Sequence, residues 1–186
     1  MIALKAKDLT EIAFTKPLGA FAPARSFPYQ IIGSASFNGK KLVLDFKIQG
    51  DHQLINFGNL APTHTRQSHL WEKTCFEAFL GVPRSKKYYE INCAPSLDWN
   101  LFSFEYYRHG MKEELTVHAP KASFDPPGFR AEFDLNRLFS SQSPVELEVS
   151  LTTVILANDG EIHYFAWKHS ASQPDFHQRK SFFPLL

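Results

Sequence analysis

Apolar and polar positions along this chain alternate with a period of two. Residues 40–49 show it most cleanly: Leu42, Leu44, Phe46 and Ile48 alternate with Lys41, Val43, Asp45 and Lys47. One face of such a strand is buried and the other mostly wet. Asn38-Gly39 joins it to a second run at residues 29–37, and an Asn-Gly dipeptide between two such runs is a strong hairpin signal. Residues 70–108 predict three further strands, at 74–80, 87–94 and 98–107, broken at Gly81-Val82-Pro83 and Ala94-Pro95-Ser96. Their apolar positions are aromatic and β-branched, which suits a pleated sheet. Between them sit Glu77, Glu90, Asn92 and Glu105, which a core strand does not need.

The rest of the chain follows the same punctuation. Residues 2–14 read as an edge strand or an extended arm, and 16–28, with three prolines, as an irregular segment. Residues 56–69 read as a loop rich in His, Arg and Asn, and 109–127 as mostly irregular. Residues 129–135 alternate again, and 136–139 suggest one helical turn. The longest strand expected is 145–157, turning at Asn158-Asp159-Gly160 into 161–168, and the tail at 178–186 is expected to close a sheet edge. No amphipathic helix, internal repeat or linker interrupts this order. Residues 1–186 therefore predict a single all-β domain, an antiparallel β-sandwich with few short helical turns, with a barrel as the second choice.

Composition sharpens the architecture and excludes some partners. The chain has 186 residues, 44% hydrophobic and 21% charged, as expected of one globular domain with a sizeable core. Its 18 phenylalanines suit the wide gap between two sheets. A net charge of +1 gives no reason to expect nucleic acid, and no apolar run reaches the length of a membrane span. Charges at Lys5, Lys7, Asp8 and Glu11 argue against a signal sequence, and two cysteines do not make a disulfide scaffold. The expected location is cytoplasmic, with reduced thiols; oligomeric state is not legible.

Candidate chemistry depends on how strands 74–80 and 87–94 pair. In one register Cys75 lies across from Cys93, within reach of a disulfide, and Glu77 lies across from Ile91. In the other, Phe76, Ala78 and Leu80 meet Ile91 and Tyr89 on a clean apolar face. Cys75, Glu77, Phe79, Tyr88, Glu90 and Asn92 then collect on the opposite face. The second register separates apolar from polar consistently and is the one expected. It sets Glu77 beside Glu90, and adjacent carboxylates repel unless something positive or donating lies between them. Arg66, Arg108, a metal ion or the hydroxyls of a sugar would serve, and an internal salt bridge explains the pair as well as a binding role does. Trp71, Trp99 and Trp167 lie at strand ends, where flat rings can stack on sugar rings or simply fill the rim. In residues 167–177, His169, Asp175 and His177 have no metal-site spacing, and no nucleophile-elbow motif accompanies Ser170 or Ser172.

The runs LWEKTCFEAFLG, YYEINCAPSLDWNLFSF, EYYR and FAWKHSASQPDFH, taken in this order, resemble the bacterial DOMON-like proteins, which are similar to family 9 carbohydrate-binding modules. The resemblance covers roughly residue 29 to the C-terminus, with Trp71, Glu77, Phe79-Leu80, Tyr89, Asn92 and Pro95 in the matching places. It implies a β-sandwich with a ligand groove, in which paired tryptophans clamp a terminal sugar and polar side chains bind its hydroxyls. Trp71 and Trp167 are the candidates for that clamp. Some DOMON domains hold haem through Met and His; with only Met1 and Met111 here, haem is not expected, and neither is a metal cofactor.

The function expected is thus a non-catalytic ligand-binding module for a carbohydrate-like small molecule. The ligand residues expected are Arg66, Trp71, Glu77, Glu90, Asn92, Arg108, Trp167 and His169. The alternatives are a sugar-active hydrolase or isomerase using Glu77 and Glu90, or a protein-interaction module. A raised pKa on one glutamate beneath a cleft favours the enzyme; an arginine locking both favours a structural pair; a broad apolar face without a pocket favours protein interaction.

Overall fold

The computed structural model describes residues 12–21, 26–139 and 146–185. Most of the arm expected at residues 2–14 lies outside them. Among these residues twelve strands form two antiparallel sheets that share one strand. The first sheet has the order β1 (Ile12–Ala20), β2 (Tyr29–Phe37), β3 (Lys41–Gly50), β9 (Gly128–Asp134), β8 (Lys121–Asp125). The second has the order β7 (Lys112–Glu113), β6 (Trp99–Phe104), β5 (Tyr88–Cys93), β4 (Cys75–Gly81), β10 (Leu147–Leu156), β11 (Ile162–Ala166). β1 joins them: Ile12 to Leu18 pair with β2, and Gly19 and Ala20 with β11. The tail strand β12 (Phe183–Leu185) pairs with β10 at Leu147 to Val149, beyond the stretch that β11 covers. Among the described residues no α-helix forms, and the architecture is the antiparallel β-sandwich expected.

The phenylalanines fill the gap between the sheets. Phe76 of β4 stacks on Phe129 of β9 at 4.6 Å and 14°, with Phe46 of β3 at 5.2 Å. The layers approach so closely that a Cβ on Gly33 of β2 would lie 2.8 Å from Leu18 Cδ1 and 3.0 Å from Leu151 Cδ1. Glycine here makes room for the leucines that bridge the two sheets.

Two expectations are corrected and a third holds. β1 runs through Pro17, although proline-rich residues 16–28 read as irregular; there β1 pairs with β2 alone, an edge position that proline tolerates. Residues 109–127 contain β7 and β8, because Ala122 and Phe124 turn inward between exposed Lys121 and Asp125. The single helical turn expected at 136–139 forms: Leu138 and Phe139 N–H donate to the Leu135 carbonyl, three and four residues back.

Strands β4, β5 and β6 are buried along their whole length. One face of each packs against the first sheet, so something else covers the other. That covered second face is the candidate site.

Candidate functional site

The register resolves the hairpin. Phe76 lies across from Cys93, Glu77 from Asn92, Ala78 from Ile91 and Phe79 from Glu90. Phe76, Ala78, Tyr89 and Ile91 join the inter-sheet core, and Glu77 and Glu90 share the opposite face, as the preferred pairing requires. Cys75 pairs with Val154 of β10 rather than with Cys93, and both thiols are free. Across the sheet, Thr152, Glu77, Asn92 and Asn100 form one row; Ser150, Phe79, Glu90 and Phe102 form the next. Glu77 and Glu90 are diagonal neighbours, on the order of 7 Å apart at Cβ.

Three segments wall this face. A short 3-10 turn, Leu70–Glu72, brings in Trp71, whose ring meets Phe102 edge-on at 5.8 Å. The turn after β6 brings in Arg108 and Met111, and Arg108 adopts a left-handed backbone, φ 52°. Residues 173–177 fold back from β11, placing Pro174, Phe176 and His177 above the sheet. With Glu77, Phe79, Glu90, Phe104 and Tyr164 as floor and sides, they enclose a cavity of about 490 Å³.

Two acceptor hubs hold the walls. Asp175 accepts from Tyr107 Oη at 2.8 Å, Gln178 Nε2 at 2.6 Å and Arg108 at 3.1 Å, fixing residues 173–177 to the turn after β6. Burial opposes its ionisation, but these bonds outweigh burial and lower its pKa. Asp98 does the same for the loop that leads to Trp71. It accepts from Thr63 Oγ1 at 2.6 Å, Thr65 Oγ1 at 2.7 Å, Thr65 N–H at 2.9 Å and Ser96 Oγ at 2.9 Å. Asp98→Ala is expected to cost about 3 kcal/mol, by the loss of bonds to a charged acceptor. Urea unfolding checks it; a change below about 0.5 kcal/mol would show the loop is held by other means.

Among the described residues, the two acids of the floor have no Lys or Arg ion-paired to them. Glu77 Oε2 accepts from Thr152 Oγ1 at 2.9 Å; burial, then the charge of Glu90, pushes its pKa up to about 8. Glu90 Oε1 accepts from Asn92 Nδ2 at 2.9 Å; burial raises its pKa to about 7, against that bond and the charge of Arg108. Arg108 lines the cavity but is ion-paired with Asp175. Above Glu90 stands His177, its Nε2 3.9 Å from Glu90 Oε2. Burial, with the charge of Arg108, lowers the His177 pKa to about 4, so its ring is neutral near pH 7. Arg108 N–H donates to Tyr88 Oη at 3.1 Å, and Tyr88 Oη lies 2.8 Å from His177 Nδ1.

Of the expected ligand residues, Trp71, Glu77, Glu90 and Arg108 line the cavity, and Asn92 holds Glu90 from beneath. The other three lie elsewhere. Arg66 stacks over Trp99 at 4.1 Å and donates to Asn100 Oδ1 and the Val117 carbonyl, both at 2.8 Å. Trp167 is 3% exposed in the inter-sheet core, its indole N–H donating to the Lys16 carbonyl, so it forms no clamp with Trp71. His169 Nε2 donates to the Gly19 carbonyl at 2.8 Å. Sequence reasoning considered His177 only as a loose metal candidate and missed Tyr164 and Phe176. His177 and its partner Tyr88 are 89 residues apart, beyond any local signal. Among the described residues no group of three or more His, Cys, Asp or Glu is arranged to hold a metal ion.

No family model matches the chain, and no curated protein matches it. Solved structures do. A candidate carbohydrate-binding protein from Bacteroides uniformis is similar at a TM-score of 0.67, with 12% identity over 92% of this chain and 84% of that one. A family 9 carbohydrate-binding module from Caldicellulosiruptor kristjanssonii, solved with cellotriose, covers 87% of this chain and 76% of its own, at 12% identity and a TM-score of 0.49. The first likeness, at this low identity, establishes the shared β-sandwich fold.

Proposed function

We propose that the protein is a binding module whose cavity takes a carbohydrate-like small molecule. The observation that carries this reading is one cleft that combines aromatic rings with buried hydrogen-bonding side chains. Trp71, Phe104, Tyr164 and Phe176 offer flat apolar surface, and Glu77, Glu90, Arg108 and His177 offer donors and acceptors. Rings for the apolar faces of a sugar and directed polar groups for its hydroxyls are what such a ligand needs. The fold shared with the candidate carbohydrate-binding protein supports the reading, as does the DOMON-like resemblance of the sequence. A protein-interaction surface finds less support, because the face in question is a cavity and not a broad apolar plane.

Trp71 belongs to a short turn and packs, half-buried, against the smaller aromatic cluster rather than in the inter-sheet core. Trp71→Ala is therefore expected to weaken binding of mono- and disaccharides about fivefold, with the melting temperature little changed, in line with the ~1 kcal/mol of an aromatic contact. Titration calorimetry against a sugar panel tests this. Unaltered affinity in the variant would remove Trp71 from the site, and no binding of any sugar by the parent would remove the carbohydrate reading.

A further inference from the structure

We infer that the cavity also catalyses anomeric interconversion of a free aldose, with Glu90 taking the proton from the O1 hydroxyl while Glu77 gives a proton to the ring oxygen. The inference rests on the carbohydrate reading above and adds a reaction to it. Two acids buried diagonally on one sheet face, with no Lys or Arg ion-paired to either among the described residues, are destabilising for the fold. Groups that violate the rules of burial at the floor of a cavity are candidates for chemistry. Their surroundings also differ: Glu77 accepts from Thr152 on β10, whereas Glu90 accepts from Asn92 and faces His177 Nε2 at 3.9 Å, and burial raises both pKa values toward neutrality. One acid and one base within reach of a single sugar ring are the complement that ring opening requires.

The step is balanced within the sugar and the pair. The O1–H bond breaks and its proton passes to Glu90; the O1 electrons form the C1=O bond. The C1–O5 bond breaks, its electron pair stays on O5, and the Glu77 proton joins it. The open-chain aldehyde turns about C1–C2 and closes on the other face by the reverse transfers, which restore both carboxyl groups. No oxidant, metal or second substrate enters.

His177 is a positioning residue, acting through Glu90. The chain Arg108 N–H, Tyr88 Oη, His177 Nδ1 fixes the ring, and the rings of Phe79 and Phe104 flank it at 5.1 and 5.2 Å. Its Nε2 then faces Glu90. The titratable and charged groups around Glu90 are Glu77 from β4, Tyr88 from its own strand, Arg108 from the turn after β6, and Asp175 and His177 from residues 173–177.

The test is magnetisation-exchange NMR on glucose, galactose and xylose at pH 7, with saturation-transfer signals reporting binding in the same tubes. The parent protein is expected to speed interconversion at least about tenfold over protein-free buffer. Glu77→Gln and Glu90→Gln are each expected to lower the enhancement about hundredfold at sugar concentrations that saturate each variant. His177→Phe is expected to move the acid limb of the pH–rate profile, which a purely structural role would leave in place. Binding by the parent with no acceleration would overturn this inference and leave the binding module standing. Absence of binding to every aldose would overturn both. Acceleration that survives both glutamine variants would overturn the assignment of the pair.

Discussion

Glu77→Gln is expected to make the ligand-free protein more heat-stable above pH 8 and to flatten the pH dependence of its stability. The folded chain holds the Glu77 proton up to about pH 8, whereas an unfolded glutamate releases it near 4.5. Folding therefore takes up a proton across that window, and stability falls as pH rises through it, reaching its full deficit above pH 8. Each pKa unit corresponds to about 1.4 kcal/mol, so the deficit is of the order of several kcal/mol. Glutamine cannot ionise, and its carbonyl still accepts from Thr152. The variant is expected to melt roughly 5–10 °C above the parent at pH 9 and close to it at pH 5. Glu90→Gln acts in the same direction over a window ending near pH 7. His177 has the opposite sign: its folded pKa of about 4 lies below the ordinary value of 6.5, so its contribution is complete above 6.5 and is lost as pH falls toward 4. Calorimetric scans at pH 5, 7 and 9 measure all three, and parallel profiles for parent and Glu77→Gln would contradict the buried acid.

Phe76→Ala is expected to cost about 4 kcal/mol, the middle of the range for emptying a buried phenylalanine site. Phe76 is 1% exposed and touches the other sheet through Phe46, Phe124 and Phe129. The rigid pleats on either side cannot close over the gap, so cavity formation adds to the lost transfer free energy. A fall in melting temperature of roughly 10 °C follows for a chain of this size. Because Glu77 is the next residue on β4, the variant also loosens the floor of the cavity. A fall of less than about 2 °C in a thermal melt would show that the sheets are not held together at this point.

The parts of the fold that could be read from the chain are those where a period of two coincides with strong turn chemistry. Asn38-Gly39 and the alternation around Phe46 fixed β2 and β3, and the separation of Phe76 and Ala78 from Glu77 fixed the β4–β5 register. β8 escaped because Ala122 and Phe124 are its only inward side chains and prolines crowd its end. β1 escaped because Pro17 suggests a loop, while an edge pairing tolerates it. The floor of the site was visible for the same reason as its strands: acids in an otherwise aromatic meander have no place in an ordinary core. Its roof was not. Phe176 and His177 reach the sheet through a tertiary path, and Trp167, which ends a strand much as Trp71 precedes one, turns into the core instead. Strand-end position does not tell rim from core when both faces of a sheet are covered.

The most direct measurement is a map of backbone amide shifts as a saturating monosaccharide or disaccharide is added to the isotope-labelled protein. Carbohydrate binding in the cavity predicts that the shifts concentrate on Trp71, Glu77, Glu90, Tyr164 and residues 173–177, and that the exposed face of the first sheet stays unchanged. Shifts confined to the loop at residues 56–69 or to that exposed face, with the cavity silent, would contradict it.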